Sequence, residues 1–223
     1  MLVDAVVVAG GSSARFGGED KLLADLCGRT VLACSLEAMV EARTVGRIVV
    51  VVADPTDAAY RAKVTMGSRG AFEWARGGAR RRDSVAACLA IATSRYVAIH
   101  DGARPLVTAK LVDRVVAAAE GNPGAIAAVA VADTIKVVRE GTIVEHPDRR
   151  RLWAAQTPQV VLRQAWLDAA AAGDDDETDD AAMLARLGLE CVVVEGDADN
   201  FKITRPSDLA IARALMAERG ECR

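Results

Sequence analysis

Five runs along the chain, residues 4–9, 47–53, 96–100, 125–131 and 189–195, are short, unbroken and rich in valine and alanine. A run without polar alternation suits a strand covered on both faces, so the pattern predicts a largely parallel, buried sheet. Helical spacing fills the intervals: 31–42 behind Thr30, 84–92 behind Asp83, 111–119 behind Thr108, 179–187 behind Thr178, and 209–217 just after Pro206. Hydroxyl or carboxylate caps and a proline in the first turn are the usual ways such helices begin. Strand alternating with helix predicts a doubly wound, Rossmann-like α/β fold. Residues 134–138 and 142–145 break the rhythm as two strand-like runs joined by Arg139-Glu140-Gly141, where glycine supplies the positive φ of a tight turn. They predict a β-hairpin arm at about 133–155. A lone hairpin is marginal in water, so this arm is expected to pack on another surface, such as a second copy of the chain.

The length, 223 residues, fits one domain spanning 1–223. Although 52% of residues are hydrophobic, no stretch approaches the roughly 20 apolar residues of a membrane span. The first residues run straight into a strand pattern with neither a basic start nor a cleavage motif, and a cytoplasmic location is the default expectation. The five cysteines are scattered and odd in number, which predicts reduced, mostly buried thiols and neither a disulfide framework nor a zinc site. A net charge of −3 supplies no global field for nucleic acid, so polyanion binding must come from a local cluster. With only two histidines, a three-histidine zinc centre is excluded and His100 reads as structural.

Such a cluster follows the first run. Ala9-Gly10-Gly11-Ser12-Ser13-Ala14-Arg15-Phe16-Gly17-Gly18-Glu19-Asp20-Lys21 has four glycines, which let backbone N–H groups approach an anion, and two cations to neutralise it. Its spacing matches neither the dinucleotide fingerprint nor the P-loop, and an ordinary βα turn with solvated cations is the competing reading. Gly77-Gly78-Ala79-Arg80-Arg81-Arg82-Asp83-Ser84 precedes a helix whose positive end suits a second anion or a base contact. Ser84 reads there as a ligand contact or a plain cap, and the arginines as a solvated edge with at most one member in a site. His100-Asp101-Gly102-Ala103-Arg104-Pro105 delivers a carboxylate at a strand end, where open α/β sheets bind ligands. One such Asp beside a triphosphate is enough for Mg²⁺, which makes Asp101 the metal candidate; capping the next turn is the alternative. Asp174-Asp175-Asp176-Glu177 reads as a solvated linker, and Thr178 as a phosphate contact or a helix cap. Lys202, by itself, reads as a surface lysine.

In combination these segments resemble the 2-C-methyl-D-erythritol 4-phosphate cytidylyltransferase family over nearly the whole chain. The resemblance rests on the loop through Lys21, Gly77–Ser84, His100–Pro105, Asp133-Thr134-Ile135-Lys136, Leu152–Gln159, Glu177–Asp180 and Asp199–Asp208. It implies CTP and Mg²⁺, with Arg15, Lys21 and Lys202 holding the triphosphate and stabilising charge as a polyol phosphate attacks the α-phosphorus. By the same matching Ala9, Gly10, Gly11, Gly78, Ser84, Asp101 and Gly102 face CTP, with a pocket at Gly78 that favours a pyrimidine. Asp101, Arg104, Thr157, Thr178 and Lys202 meet the polyol phosphate. Thr134 and Arg149 complete a neighbour's site across a homodimer formed through the arm. Ala79 departs from an aspartate found in some members and removes a base or ribose contact.

Ribitol-5-phosphate cytidylyltransferases share the nucleotide motifs and differ at the polyol site. A nicotinamide-dependent dehydrogenase would use an acidic residue after the second strand, for which Asp54 is available, but the glycine spacing fails. A non-catalytic nucleotide-binding module would have no need of Lys21, Asp101 and Lys202 together.

Overall fold

The structure is a computed structural model that describes residues 1–10, 16, 20–173 and 177–222. Gly11 and Arg15 of the first loop, and Asp174–Asp176 of the acidic run, lie outside them. Eleven strands and seven α-helices are described: β1 (Val3–Val8), β2 (Asp25–Leu26), β3 (Arg29–Thr30), α1 (Val31–Glu41), β4 (Val45–Val52), α2 (Ala58–Val64), β5 (Glu73–Arg76), α3 (Arg81–Ile91), β6 (Tyr96–Asp101), α4 (Ala109–Ala119), β7 (Gly124–Ala130), β8 (Val137–Arg139), β9 (Thr142–Glu145), β10 (Trp153–Leu162), α5 (Arg163–Ala171), α6 (Asp180–Ala185), β11 (Val192–Glu195) and α7 (Pro206–Glu218).

Seven strands form one sheet in the order β11-β7-β10-β6-β1-β4-β5. All neighbours are parallel except where β10 lies between β6 and β7, antiparallel to both. The runs rich in valine are strands because both of their faces are covered. Val7, Val50 and Ala98 face one apolar layer with α1 and α4, whereas Val6, Val49 and Ile99 face the other with Val85, Leu89 and Trp166. From β1 the chain moves out to β4 and β5 and then returns to β6 on the opposite side of β1. This reversal opens a crevice beyond the carboxyl ends of β1 and β6, the position where doubly wound sheets take ligands.

Caps hold the helices as expected at α1, where Thr30 accepts from Ala33 N at 3.1 Å, and at α4, where Thr108 accepts from Leu111 N at 3.2 Å. The start of α3 differs. It begins at Arg81, and Asp83 sits inside the first turn, where it accepts from the Arg80 backbone in a capping box. Asp179, not Thr178, caps α6, accepting from Ala182 N at 2.9 Å.

Several expectations need correction. The sequence pattern does not predict β10, because Gln156-Thr157-Pro158-Gln159 interrupts its apolar run; the strand accommodates the proline by an irregularity between Ala155 and Gln159. β11 is an edge strand with Val192 and Val193 exposed, so it is not buried on both faces. Arg82 is no solvated edge residue: it donates to the carbonyls of Gly173 (2.8 Å) and Ala170 (2.7 Å). Cys27 and Cys222 are paired as a disulfide, 195 positions apart with Cα atoms 4.7 Å from each other, while Cys34 and Cys88 are buried thiols. The pairing brings the turn after β2 against the segment that follows α7, a closeness that residue spacing cannot reveal. The hairpin arm is present as β8 and β9, with Val138, Ile143 and Val144 each at least half exposed.

Candidate active site

The crevice holds a cavity of about 390 Å³ lined by Ala9, Gly10, Lys21, Gly78, Arg81, Ser84, Asp101 and Lys202. Residues from five separate stretches of sequence meet there. A larger cleft of about 790 Å³ lies between α1 and the C-terminal turn. It contains none of the candidate site residues, and its arginines Arg29, Arg69 and Arg219 are already paired with Glu221, Glu37 and Asp199.

Asp101, at the end of β6, is the centre of the smaller cavity. Lys202 donates to its Oδ2 at 2.9 Å, Arg104 Nε stands 3.7 Å from the same oxygen, and Arg81 Nε is 4.0 Å from Oδ1. Burial alone would raise the carboxyl pKa, but the Lys202 ammonium, then Arg81 and Arg104, outweigh it and hold the value down to about 2. The group is therefore a carboxylate at any ordinary pH. Among the described residues Oδ1 accepts no hydrogen bond, so one oxygen is available to a hard cation.

Two neighbours fix the Asp101 backbone. Its N–H donates to Thr157 Oγ1 at 3.0 Å, and the same hydroxyl lies 3.0 Å from His100 Nδ1. The other ring nitrogen of His100 is 3.2 Å from the Arg104 carbonyl, which can only accept. His100 Nε2 must therefore carry the proton, and Thr157 donates its own to Nδ1. Full burial pushes the His100 pKa down to about 4, in keeping with a neutral ring. Thr157 has thus committed its single proton inside the protein.

The loops on either side are shaped by glycine. Ser84 Oγ accepts from Gly78 N at 3.1 Å and donates to the Arg80 carbonyl, folding the loop over the start of α3. A Cβ at Gly78 would collide with the Asp83 side chain. Gly102 N–H is bonded to the Val8 carbonyl at 3.0 Å and its carbonyl to Ser35 Oγ, so this residue joins β1, β6 and α1. Gly10 has open space where a side chain would project.

Lys21 stands on a short 3₁₀ turn capped by Asp20, and its Nζ donates to the Ile203 carbonyl at 3.0 Å, beside Lys202. Arg104 is held by the carbonyls of Asn200 (2.7 Å) and Ala155 (3.4 Å). Thr178 is exposed just ahead of α6 and does not line the cavity. Thr134 and Arg149 are exposed at the root of the arm, where Arg149 donates to the Ala132 carbonyl at 2.7 Å, and neither lines the cavity. Asp54, the acid a dinucleotide site would use, is spent on Thr56 and Arg76.

A family model described as 2-C-methyl-D-erythritol 4-phosphate cytidylyltransferase (IspD) matches residues 3–218. The chain belongs to this family. A Synechococcus elongatus protein named as such is 40% identical over 222 residues, covering 96% of each chain. A Rhodospirillum rubrum protein named bifunctional enzyme IspD/IspF is 42% identical over 226 residues; the match takes in 99% of this chain and 59% of that longer protein. Among solved structures, the 2-C-methyl-D-erythritol 4-phosphate cytidylyltransferase of Thermus thermophilus aligns with a TM-score of 0.78 at 30% identity, over 97% of this chain and 100% of the other. The Rossmann-like nucleotidyltransferase fold expected from the sequence is therefore the IspD fold.

Sequence reasoning missed the group behind the cavity wall, where Arg81 is held by Asp180, itself bonded to Trp166 and Gln159. Trp166 was a legible signal, since a buried indole N–H must find an acceptor. The Arg81–Asp180 pair was not, because its members are 99 positions apart.

Proposed function

We propose that the chain transfers CMP from CTP to 2-C-methyl-D-erythritol 4-phosphate, releasing pyrophosphate. An acceptor phosphate oxygen forms a bond to the α-phosphorus, and the bond from that phosphorus to the bridging oxygen breaks, its electron pair leaving with pyrophosphate. The protein's task in such a transfer is alignment and charge stabilisation rather than covalent chemistry. The observation that carries this reading is the meeting of Asp101 with Lys202, Arg81 and Arg104 at the ends of β1 and β6, beside Lys21. Net positive charge in a cavity with a glycine wall suits a triphosphate.

In this reading Lys21 and Lys202, with Arg15, bind the triphosphate and stabilise charge as the leaving group departs. Ala9, Gly10, Gly11, Gly78, Ser84 and Gly102 shape the nucleotide side. Arg104 and Thr178 meet the acceptor phosphate, while Thr157 sets the Asp101 backbone and offers that phosphate no free proton. Asp101 suits Mg²⁺, with one carboxylate oxygen outside any hydrogen bond and phosphate oxygens and water to complete the shell. When bound, the ion would neutralise phosphate charge.

We further propose a homodimer through the arm, with Thr134 and Arg149 serving the partner's acceptor site. Exposed Val138, Ile143 and Val144 on a hairpin too small to stand alone support it. Sedimentation of a fully active monomer would refute it. A cytoplasmic location belongs to the same proposal.

The test is pyrophosphate release with CTP and Mg²⁺, comparing 2-C-methyl-D-erythritol 4-phosphate with ribitol 5-phosphate. Release with the first acceptor alone is expected; release with ribitol phosphate alone would transfer the chain to the sister activity.

A further inference from the structure

Asp180 has no exposed surface, yet its side chain accepts three hydrogen bonds and its backbone N–H donates a fourth. Arg81 donates to both oxygens, Nη1 to Oδ1 at 3.0 Å and Nη2 to Oδ2 at 2.6 Å. Trp166 Nε1 donates to Oδ1 at 3.0 Å, and the Asp180 N–H donates to Gln159 Oε1 at 2.9 Å. Gln159 in turn donates to Asp179 Oδ2 at 3.1 Å. Three elements, β10, α5 and α6, thus converge to hold one arginine of α3.

A buried ion pair is weak evidence for stability, because desolvating both charges offsets much of their attraction. The geometry shows what else the pair achieves. Arg81 lines the nucleotide cavity, and its Nε is 4.0 Å from Oδ1 of Asp101, too far for a hydrogen bond. Two carboxylates therefore compete for one guanidinium, and the bidentate grip of Asp180 wins. Were Asp180 neutral, Arg81 would be free to close on Asp101 and cover its open oxygen. Held back, Arg81 leaves that oxygen accessible and keeps its Nε edge at the cavity wall.

We propose that Asp180 is a positioning residue for the transfer, clamping Arg81 so that its guanidinium edge takes a phosphate oxygen of the bound nucleotide while Asp101 stays open. The inference rests on the reading of this cavity as the CTP site. It gives the arginine run a second task beyond the structural one performed by Arg82.

The test uses the full chain as Arg81→Ala, Asp180→Asn, the double variant and Trp166→Phe, with CTP binding by calorimetry and steady-state kinetics for both substrates. Arg81→Ala and Asp180→Asn should each weaken CTP binding about tenfold, and the double variant no further than Arg81→Ala alone, because Asp180 acts through Arg81. The acceptor KM should stay within about twofold of wild type. That split matters because Asp180 follows Thr178 by two residues. A merely structural role in α6 would raise the acceptor KM and spare CTP binding, which would overturn the proposal, as would additive losses in the double variant. Trp166→Phe keeps both charges and removes one hydrogen bond, so it covers the case in which Asp180→Asn does not fold; unchanged CTP binding in Trp166→Phe together with a misfolded Asp180→Asn would count against the clamp. Wild-type protein that binds CTP but transfers nothing would sink the proposed reaction, and the calorimetric comparison would still judge this inference.

Discussion

Lys202 Nζ lies 2.9 Å from Asp101 Oδ2, an ion pair across 101 positions that ties the segment before α7 to the end of β6. The lysine side chain is 41% exposed while the carboxylate is 12% exposed, so the cation can move to an incoming phosphate without leaving the cavity. Lys202→Ala should lower turnover by about 10²–10³-fold, the scale of removing one preorganised charge from a transfer site. The fold should persist, since the pair is partly solvated. Pyrophosphate release beside a melting curve checks both, and near-normal turnover would remove Lys202 from the proposed chemistry.

Lys21 lines the same cavity, with its Nζ anchored to the Ile203 carbonyl at 3.0 Å. Lys21→Ala should lower kcat on the same scale of about 10²-fold or more. Lys21→Arg should rescue poorly, because a planar fork cannot take the place of a compact ammonium docked on one carbonyl. Full rescue by arginine would reduce Lys21 to a generic positive charge.

Gly78→Ala tests the shape of the nucleotide side. The new methyl meets the Asp83 side chain, which caps α3 through Arg80. The loop must shift to admit it, at a cost of about 1–3 kcal/mol for an overpacked site, and KM for CTP should rise more than KM for the acceptor. Equal effects on both substrates would show that the loop does not face the nucleotide.

The parts of this site that could be read in advance were those encoded locally. Glycines after a strand run, a carboxylate closing another, and Thr30 or Thr108 ahead of a helix each carry their meaning within a few residues. β10 escapes such a reading because its Gln156-Thr157-Pro158-Gln159 stretch looks like a break, although those polar groups are used: Gln156 donates to the Asp197 carbonyl and Thr157 supports Asp101. The Arg81–Asp180 pair and the role of Lys202 as the partner of Asp101 exist only once the sheet order is known. The family resemblance supplied Lys202 and Thr157, but not what each one touches.

Stability in acid should depend on Asp4, far from the cavity. It is buried at the start of β1 and accepts from Thr93 N (2.6 Å), Ser94 N (3.0 Å) and Ser94 Oγ (2.8 Å), pinning the turn between α3 and β6. Burial raises its pKa, but the hydrogen bonds from Ser94 and Thr93 together lower it below the ordinary 3.8. A depressed carboxyl stabilises the fold above the unfolded-state pKa, and that contribution is lost as pH falls through the folded-state value, since the unfolded chain binds the proton first. Asp4→Asn keeps the shape but replaces one acceptor oxygen by a donor facing N–H groups, and should cost about 1–3 kcal/mol near neutrality. Melting curves from pH 7 down to the foot of the carboxyl range should show the gap between wild type and Asp4→Asn narrowing only below the unfolded-state pKa. A gap that stays constant through that range would mean the Asp4 charge contributes nothing and only its shape matters.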